Sequence, residues 1–312
     1  MRRLPAAVAA LGLVAIALVG CSSSPASACD RTTQSSNLEN LISVTGDVGT
    51  APDVDVPTPF HTNDVEVADV VTGDGTTLVD PNQMFAMGLT IIDGTSGDTI
   101  AEQGYDDTSS PVSLSQWIQV VPGFEAALQC ATEGSRIVVG LPADSLGEAA
   151  SQLGLTEGSD AVAVLDLTTV YLAAADGTEQ FNEGRGLPTV VRAPSGQPGI
   201  IVPDAEAPTD LVVQVLKRGD GEKLENGDSA LVAYTSVAWD APTVVAGTTW
   251  GSAPQPVPIA EGDDAVINAL RGQTVGSQIM IIVPTGGGDT DADAGADVYV
   301  FDILGASATA AG

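Results

Sequence analysis

The chain has few basic residues, few aromatic residues and a single histidine. Among its 312 residues, 10 Lys and Arg stand against 41 Asp and Glu, so the formal net charge is -31. This deficit of positive charge excludes binding to the phosphate backbone of nucleic acids. The lone His61 excludes a metal cluster of His and Cys, and it excludes a Ser-His-Asp triad unless His61 serves one. No dinucleotide or phosphate-binding fingerprint occurs, so we expect no cofactor.

An unbroken apolar run lies near the N-terminus. Arg2 and Arg3 precede residues 6–19, a run that is too short for an ordinary spanning helix and typical of a secretory signal. It ends in Leu-Val-Gly before Cys21, a spelling that resembles the bacterial lipobox. We therefore predict a lipid-anchored protein on the extracytoplasmic face of the cell membrane, with membrane contact through the lipid on Cys21 only. An uncleaved anchor or a plain signal peptide is the alternative.

Two further cysteines, Cys29 and Cys130, remain in the predicted mature chain. Thiols outside the cytoplasm tend to pair. We predict a Cys29–Cys130 disulfide that joins the stalk to the first domain. Two free thiols are the alternative that the sequence leaves open.

The chain contains an internal repeat. Matching segments occur in the same order in both halves, and their separation falls from 146 to 136 positions along the chain. A duplication in which the second copy lost ten residues in loops explains this pattern. The matching pairs are 56–57 with 202–203, 73–75 with 219–221, 132–142 with 274–284, and 162–167 with 298–303.

Short apolar segments between Gly and Pro turns predict β-strands, and each copy has one helical signal. In the first copy that signal is Phe124, Ala127, Leu128 and Ala131 at helical spacing. We predict an α+β fold in which each copy is a curved antiparallel sheet wrapped on one short helix. The predicted strands are 65–71, 84–92, 137–141 and a closing strand near 162–167, then 211–216, 230–239, 279–283 and 298–303.

The repeat and the leader set the predicted domain boundaries. They are a signal peptide at 1–20, a lipidated flexible stalk at 21–37, a first domain with an N-terminal arm at 38–173, a linker and second arm at 174–208, a second, more degenerate domain at 209–305, and a tail at 306–312.

Two stretches of the first copy resemble the FKBP family of peptidyl-prolyl cis-trans isomerases. Residues 120–128, VVPGFEAAL, are similar to the family's V-I-x-G-W/F-E-x-G/A-L, and residues 134–147 are similar to the strand and loop that follow. In the second copy, 232–235 resembles the family's V-x-Y-T strand and 298–304 its closing strand. The resemblance covers 44–304, and the order of lipobox, stalk and two such domains resembles actinobacterial FKBP-type lipoproteins.

The resemblance implies an aromatic pocket that favours a twisted proline amide. The substrate-pocket candidates are Val120 and Val121 at the V-I step, Phe124 at the floor, Leu146 in place of a loop tyrosine, and Tyr234 and Tyr299 on strands of the second copy. The first copy lacks the Y-T tyrosine, because Gly88 falls there, or Met87 with a shift of one. Ala163 replaces its last-strand aromatic residue, and Val266 falls at the floor of the second copy. The resemblance therefore implies weak rotamase activity in the first domain and weaker or no activity in the second.

Two functions follow from this interpretation. The first is an envelope isomerase and folding factor that acts on proline-containing exported proteins or peptides. The second is a non-catalytic protein-binding lipoprotein built on degenerate FKBP domains. The acidic segment 289–295 also resembles the start of a calcium loop, but it lacks the Glu at the twelfth position. A solvated turn is therefore favoured there, and we expect no metal.

Overall fold

The chain is described from a computed structural model. The described residues are 29, 31, 37–105, 110–147, 149–155, 158–182, 184–262, 264–285 and 295–308. The predicted signal peptide, the lipidation residue Cys21, most of the predicted stalk and the acidic residues 289–294 lie outside the described residues.

The first large sheet is antiparallel and follows the strand order β3-β7-β8-β4-β5, with β6 pairing onto β4. A separate hairpin, β1 with β2, precedes it. The strands are β1 (Ser43–Thr45), β2 (Asp53–Asp55), β3 (Glu66–Val71), β4 (Met84–Asp93), β5 (Thr99–Gln103), β6 (Val112–Ser113), β7 (Arg136–Leu141) and β8 (Ala161–Val170).

The second large sheet repeats that order as β12-β16-β17-β13-β14, with β15 pairing onto β13 and with β9 added at the β12 edge. A hairpin, β10 with β11, again precedes it. The strands are β9 (Thr178–Glu179), β10 (Thr189–Arg192), β11 (Pro198–Ile201), β12 (Val212–Arg218), β13 (Asp228–Ala238), β14 (Ala241–Thr248), β15 (Gln255–Pro258), β16 (Gln278–Thr285) and β17 (Gly295–Ala308).

The helices of the described residues are short. They are α1 (Leu38–Leu41), α2 (Leu114–Val120), α3 (Phe124–Leu128), a 3-10 turn (Ala143–Leu146), α4 (Ala149–Gln152) and α5 (Ala265–Leu270). The chain is thus mostly antiparallel sheet with few helices, in agreement with the predicted fold class. Helix α2 was not predicted. It begins at a capping box in which Ser113 and Gln116 bond each other's backbone N–H groups.

Both faces of the first sheet are buried, so the helix is not its only covering layer. Alternate residues of β4, such as Phe85 and Leu89, join α3 in one apolar cluster. Ile92 on the opposite face packs with Phe60 and Leu38, which precede the sheet. The second sheet has the same plan, because segments around β10 and β11 cover its outer face. Each predicted arm is therefore a packed layer that faces the sheet from the side opposite the core helix.

The repeat extends to individual hydrogen bonds. The Thr132 hydroxyl donates to the Gly73 carbonyl at 2.8 Å, and the Ser135 hydroxyl accepts from the Gly73 N–H at 2.9 Å. A Cβ atom on Gly73 would lie 2.0 Å from a backbone carbonyl oxygen, so this close approach requires glycine. The same contacts recur with Gly219, Thr274 and Ser277, at 2.7 and 3.0 Å.

Residues 171–179 connect the two sheets and belong partly to the second one. The Leu172 N–H donates to the Leu304 carbonyl at 3.0 Å, and the Ala175 N–H donates to the Asp302 carboxylate at 2.8 Å. Strand β9 then pairs with β12. The start of the segment predicted as a linker is thus integrated into the second sheet. We call residues 171–179 the crossover segment.

Candidate functional site

The first candidate hollow lies beside α3, where the resemblance places Phe124 as a pocket floor. Phe124 is 0% exposed, Leu146 is 0% exposed and Val121 is 2% exposed. The indole of Trp117, on α2, packs on Phe124 with 6.0 Å between the ring centroids. Three of the predicted pocket residues thus come together, but as a packed core without an exposed aromatic floor.

The backbone N–H at the predicted V-I step is already bonded. The Val121 N–H donates to the Trp117 carbonyl at 2.8 Å, where α2 ends. The resemblance to the FKBP family implies that this N–H would bind the substrate. Val120 is 47% exposed and points away from the core formed by its neighbour. Helix α2 therefore occupies the first hollow through both its backbone and its Trp117 ring.

The second hollow that the resemblance predicts would lie on the α5 face of the second sheet, where aromatic rings cluster. The rings of Tyr234 and Phe301 lie 5.5 Å apart, and those of Tyr299 and Phe301 lie 5.8 Å apart. Phe301 is buried, whereas Tyr234 and Tyr299 are half-buried and pack with Val266 of α5 against the same apolar cluster. We call Tyr234, Tyr299 and Phe301 the ring cluster. It presents partly accessible aromatic surface beside an apolar helix.

The Tyr299 hydroxyl lies in a partly buried setting beside acidic side chains. Burial raises the pKa of Tyr299 above its ordinary value, and the nearby carboxylate of Asp297 raises it further. Tyr299 is therefore uncharged at neutral pH. The Tyr234 ring extends over β14, where a Cβ atom on Gly247 would lie 3.3 Å from the Tyr234 hydroxyl oxygen. Glycine at this position leaves room for the ring.

The strand registers correct one sequence alignment between the copies. Tyr234 lies opposite Phe301, whereas Leu89 lies opposite Leu165. Because Leu165 and Phe301 are matched in the closing strands, Leu89 is the counterpart of Tyr234. The placement of Gly88 or Met87 at the Y-T position was therefore wrong. The shared bulge, after Ala86 in β4 and after Leu231 in β13, fixes this register.

Gly88 has a different role on the outer face of the first sheet. A Cβ atom there would lie 2.2 Å from the ring of Tyr105, so the ring needs the missing side chain. The Tyr105 and Thr90 hydroxyls are 2.9 Å apart and share a hydrogen bond. Burial raises the pKa of Tyr105 to about 12, although the bond to Thr90 opposes the shift. The sequence prediction did not identify Tyr105, because its contact with β4 depends on the tertiary fold.

Other predicted features of the site can be located as well. A Cys29–Cys130 disulfide is present, with a Cα–Cα distance of 5.5 Å. His61 has an exposed ring beside the carboxylate of Asp160 at 3.2 Å. Within the described part of the chain, no group of three His, Cys, Asp or Glu residues is placed to hold a metal ion. None of the helices formed by described residues is long and apolar enough to cross a bilayer.

Searches against known proteins give structural matches only. No family model matches the chain, and no curated protein matches it. The three FKBP domains of wheat FKBP73 match at 12% identity and a TM-score of 0.31, over 78% of this chain and 94% of that chain. A peptidyl-prolyl cis-trans isomerase from Pseudomonas syringae pv. tomato matches at 18% identity and a TM-score of 0.28, over 34% and 74% of the two chains. FkpA from Escherichia coli matches at 17% identity and a TM-score of 0.27, over 41% and 54%. These TM-scores are too low to carry a functional argument.

Proposed function

We propose that this chain is an FKBP-type peptidyl-prolyl cis-trans isomerase and folding factor of the cell envelope, built from two FKBP-like domains. The observation that carries the proposal is the ring cluster on the α5 face of the second sheet. Its members lie at positions that the family resemblance assigns to pocket residues or directly beside them. The shared strand order of the two sheets supports the two-domain organisation.

The chemistry requires an apolar surface and no nucleophile. Rotation about an X-Pro amide bond has a barrier of roughly 18–20 kcal/mol. The twisted transition state loses amide resonance and is less polar than the planar ground state, so a dry aromatic surface favours it. Tyr234 and Tyr299 add hydroxyls that can bond the carbonyl groups of an extended substrate. The ring cluster therefore supplies the kind of environment that lowers this barrier.

We propose that the hollow that binds substrate is in the second domain. The sequence predicted the opposite, with weak rotamase activity in the first domain and weaker or no activity in the second. The first hollow is filled by α2, its aromatic floor Phe124 has no exposed surface, and the N–H of Val121 is bonded to Trp117. In the second hollow the rings of both Tyr234 and Tyr299 are partly exposed, whereas of the Trp117–Phe124 pair in the first hollow only Trp117 is. Access of a substrate to an aromatic surface thus favours the second domain.

The test uses residues that the first copy already carries at the matching places. Tyr234→Leu reproduces Leu89 and Tyr299→Ala reproduces Ala163, so both changes are compatible with the fold. We expect each to lower the isomerisation rate of a proline-containing peptide by about tenfold, which corresponds to about 1.4 kcal/mol of transition-state stabilisation. The measurement is two-dimensional exchange NMR on the full chain, which needs no coupled protease.

Phe124→Leu is the matched control in the first domain. It removes an aromatic ring from the other candidate floor while keeping an apolar side chain, and we expect the rate to stay within twofold of the parent, roughly 0.4 kcal/mol. If Phe124→Leu abolished turnover and the two tyrosine variants did not, the working hollow would be in the first domain and our assignment would be wrong.

The alternative is a non-catalytic module that holds extended proline-containing segments. The missing aromatic floor of the second hollow favours this alternative. Val266 lies at the position where the resemblance to the FKBP family implies an aromatic residue. A parent rate equal to the uncatalysed rate, together with saturable peptide binding that Tyr234→Leu weakens, would establish this alternative and exclude the isomerase. The same peptide serves both measurements.

The envelope location rests on Cys21, which lies outside the described residues. Growth of producing cells with a labelled fatty acid should label the parent protein and not a Cys21→Ser variant. Proline-containing exported proteins are the clients that this location and the chemistry of the ring cluster imply. An unlabelled parent protein would remove the anchor from the proposal and leave the isomerase test unaffected.

A further inference from the structure

A carboxylate on β17 borders the ring cluster. Asp297 lies two positions before Tyr299 in this strand, so it shares a sheet face with Tyr299 and Phe301, whereas the intervening Val298 packs on the opposite face. The register between β17 and its neighbours is unbroken from Asp297 to Phe301. Asp297 therefore extends the row of Tyr299 and Phe301 by one place.

The Asp297 carboxylate is partly buried and lacks a partner. Among the residues that the structure describes, its side chain forms neither a hydrogen bond nor an ion pair. Asp302, on the opposite face of the same strand, instead accepts hydrogen bonds from Ala175 and Gln278. A carboxylate that has lost part of its water gains from an opposite charge nearby. The charge of Asp297 is thus available to a cation from outside the chain.

A second carboxylate acts on the same ring. Asp264 is exposed at the start of α5, where its Oδ1 atom accepts a backbone N–H of the helix at 2.9 Å. Burial is the main cause of the raised pKa of Tyr299, and the charges of Asp297 and Asp264 both add to it, so both lie within electrostatic reach of the Tyr299 hydroxyl. Arg271, at the other end of α5, donates to a backbone carbonyl.

The first copy lacks both acids. The repeat aligns Asp297 with Ala161, and the alignment of Val266 with Phe124 places Asp264 opposite Pro122. The first copy also lacks tyrosine at the two matching strand positions. Carboxylates attract cations, and so do the faces of aromatic rings, by about 0.5–1 kcal/mol at exposed sites. The second copy therefore combines two features that both favour a positively charged side chain.

We infer that the ring cluster selects proline segments in which Lys or Arg adjoins the proline, with Asp297 as the partner of the cationic side chain. The inference rests on the proposed function, since it names the substrate class of the same hollow. The proline ring contacts the aromatic surface, and the long aliphatic part of Lys or Arg crosses it to reach the carboxylate. Asp264 strengthens the negative potential at this place.

The test compares three peptides that differ only in the two residues flanking one proline, which are both Lys, both Gln or both Glu. Isomerisation of each is measured with the full chain by two-dimensional exchange NMR, relative to the uncatalysed rate. The Lys peptide should be accelerated at least about threefold more than the Gln peptide, and the Glu peptide at least about threefold less. These ratios should shrink in about 0.5 M NaCl, because salt screens exposed charges.

Three isosteric variants connect the preference to this place. Asp297→Asn removes the charge and should bring the ratio of the Lys and Gln rates close to one. Asp264→Asn keeps a good helix-capping residue, should lower the ratio by a smaller factor, and gives a second measurement if Asp297→Asn folds poorly. Asp220→Asn, at an exposed turn, changes the net charge equally and should leave the ratio unchanged.

The outcomes separate this inference from the proposed activity. Equal acceleration of the three peptides would refute the selectivity and leave the isomerase in place. A Lys preference that survives in both Asp297→Asn and Asp264→Asn would assign it to the overall charge of the chain and also refute the inference. If the parent accelerates none of the peptides, the isomerase is wrong, and calorimetry then compares their affinities. Absence of binding, or binding without a Lys preference, would overturn the inference as well.

Discussion

The Gln278 side chain donates a 2.6 Å hydrogen bond to the buried carboxylate of Asp302, on neighbouring strands of the second sheet. At the matching place in the first sheet, Arg136 forms an ion pair with Asp166 at 2.6 Å, and both side chains are almost fully buried. The two copies thus share the buried acid but differ in its partner, which is a cation in the first copy and a neutral amide in the second. Each sheet therefore buries one carboxylate at the same place, and the two carboxylates differ in the side chain that stabilises them.

Asp302 should make the stability of the protein pH-dependent. Burial raises its pKa to about 6, although hydrogen bonds from Ala175 and Gln278 and the charges of Lys217 and Arg192 oppose the shift. A carboxyl whose pKa is raised in the folded state stabilises that state when protonated. This contribution is complete below about pH 4 and is lost as the pH rises through about 6, on the order of 3 kcal/mol.

The measurement is the unfolding free energy in urea between pH 4 and pH 7 for the parent and for Asp302→Asn. The parent should lose stability over this interval relative to Asp302→Asn, whose side chain does not ionise. Asp220→Asn, at an exposed position, is the control and should follow the parent curve. Parallel curves for the parent and Asp302→Asn would show that the buried acid does not titrate in this range.

Arg136 should be among the residues whose loss is most destabilising. Its guanidinium bonds both oxygens of Asp166 and the carbonyls of Gly46, Asp47 and Thr50, so it joins the first arm to the sheet. Arg136→Ala leaves the Asp166 charge buried without its partner and should cost about 3–5 kcal/mol in urea unfolding.

Arg136→Gln tests whether the amide of the second copy can replace the cation. It copies Gln278 and should cost less than Arg136→Ala, because the amide can still donate to Asp166. Equal losses of stability in Arg136→Ala and Arg136→Gln would contradict this expectation. They would show that the whole effect comes from the contacts of Arg136 with the arm.

The Cys29–Cys130 disulfide should stabilise the fold substantially. It closes a loop over a sequence separation of 101 residues, so it restricts the unfolded chain strongly. The double variant Cys29→Ser with Cys130→Ser should lose about 2–5 kcal/mol of unfolding free energy. Thiol titration of the unreduced parent should find neither residue reactive, and two reactive groups would contradict the pairing.

Gly305 should be sensitive to the smallest substitution, because it lies against the crossover segment. A Cβ atom there would lie 2.1 Å from the ring of Tyr171, so Gly305→Ala must displace that ring. We expect a loss of about 1–3 kcal/mol from overpacking, measured by thermal or urea unfolding. Gly262→Ala is the matched control, since nothing lies within 4 Å of the added atom, and it should be nearly neutral.

The sequence predicted four strands of each large sheet because their signal is local, but it missed β5 and β6 in the first sheet and β9, β14 and β15 in the second. The strand predicted at 84–92 is observed as Met84–Asp93, and the helical signal at Phe124 and Leu128 is observed as α3. Apolar alternation and turn glycines identify such elements without knowledge of their partners. The repeat also predicted that both halves would use the same elements in the same order.

The state of the two hollows could not be predicted in the same way. Whether Phe124 is an open floor or a core residue depends on α2, which folds back over it and brings Trp117 into contact. The Ser113–Gln116 capping box was the local signal for α2, and it lay in a segment interpreted as a loop. The equivalence of Tyr234 and Leu89 in the two copies was missed. A one-residue shift in a loop cannot be located in an alignment without knowledge of the strand register.

The buried ion pair had a sequence signal that was not used. Arg136 and Asp166 stand within apolar strands, inside the two segments that the repeat aligns with Gln278 and Asp302. A charged residue in an apolar strand requires a partner, and two of them in neighbouring strands predict each other. Contacts with the arm at Gly46 and Thr50 could not be foreseen, since they depend on how the hairpin docks.

The crossover segment limits how this protein can change over evolution. Residues 174–179, which follow the predicted first domain, supply β9 and the Ala175 N–H to the second sheet. Gene fission after residue 179 would remove this strand from the second descendant and leave the Asp302 carboxylate without one of its donors. The two duplicated units therefore cannot be exchanged freely, because transfer of the second unit without this segment would require a replacement for the β9 edge.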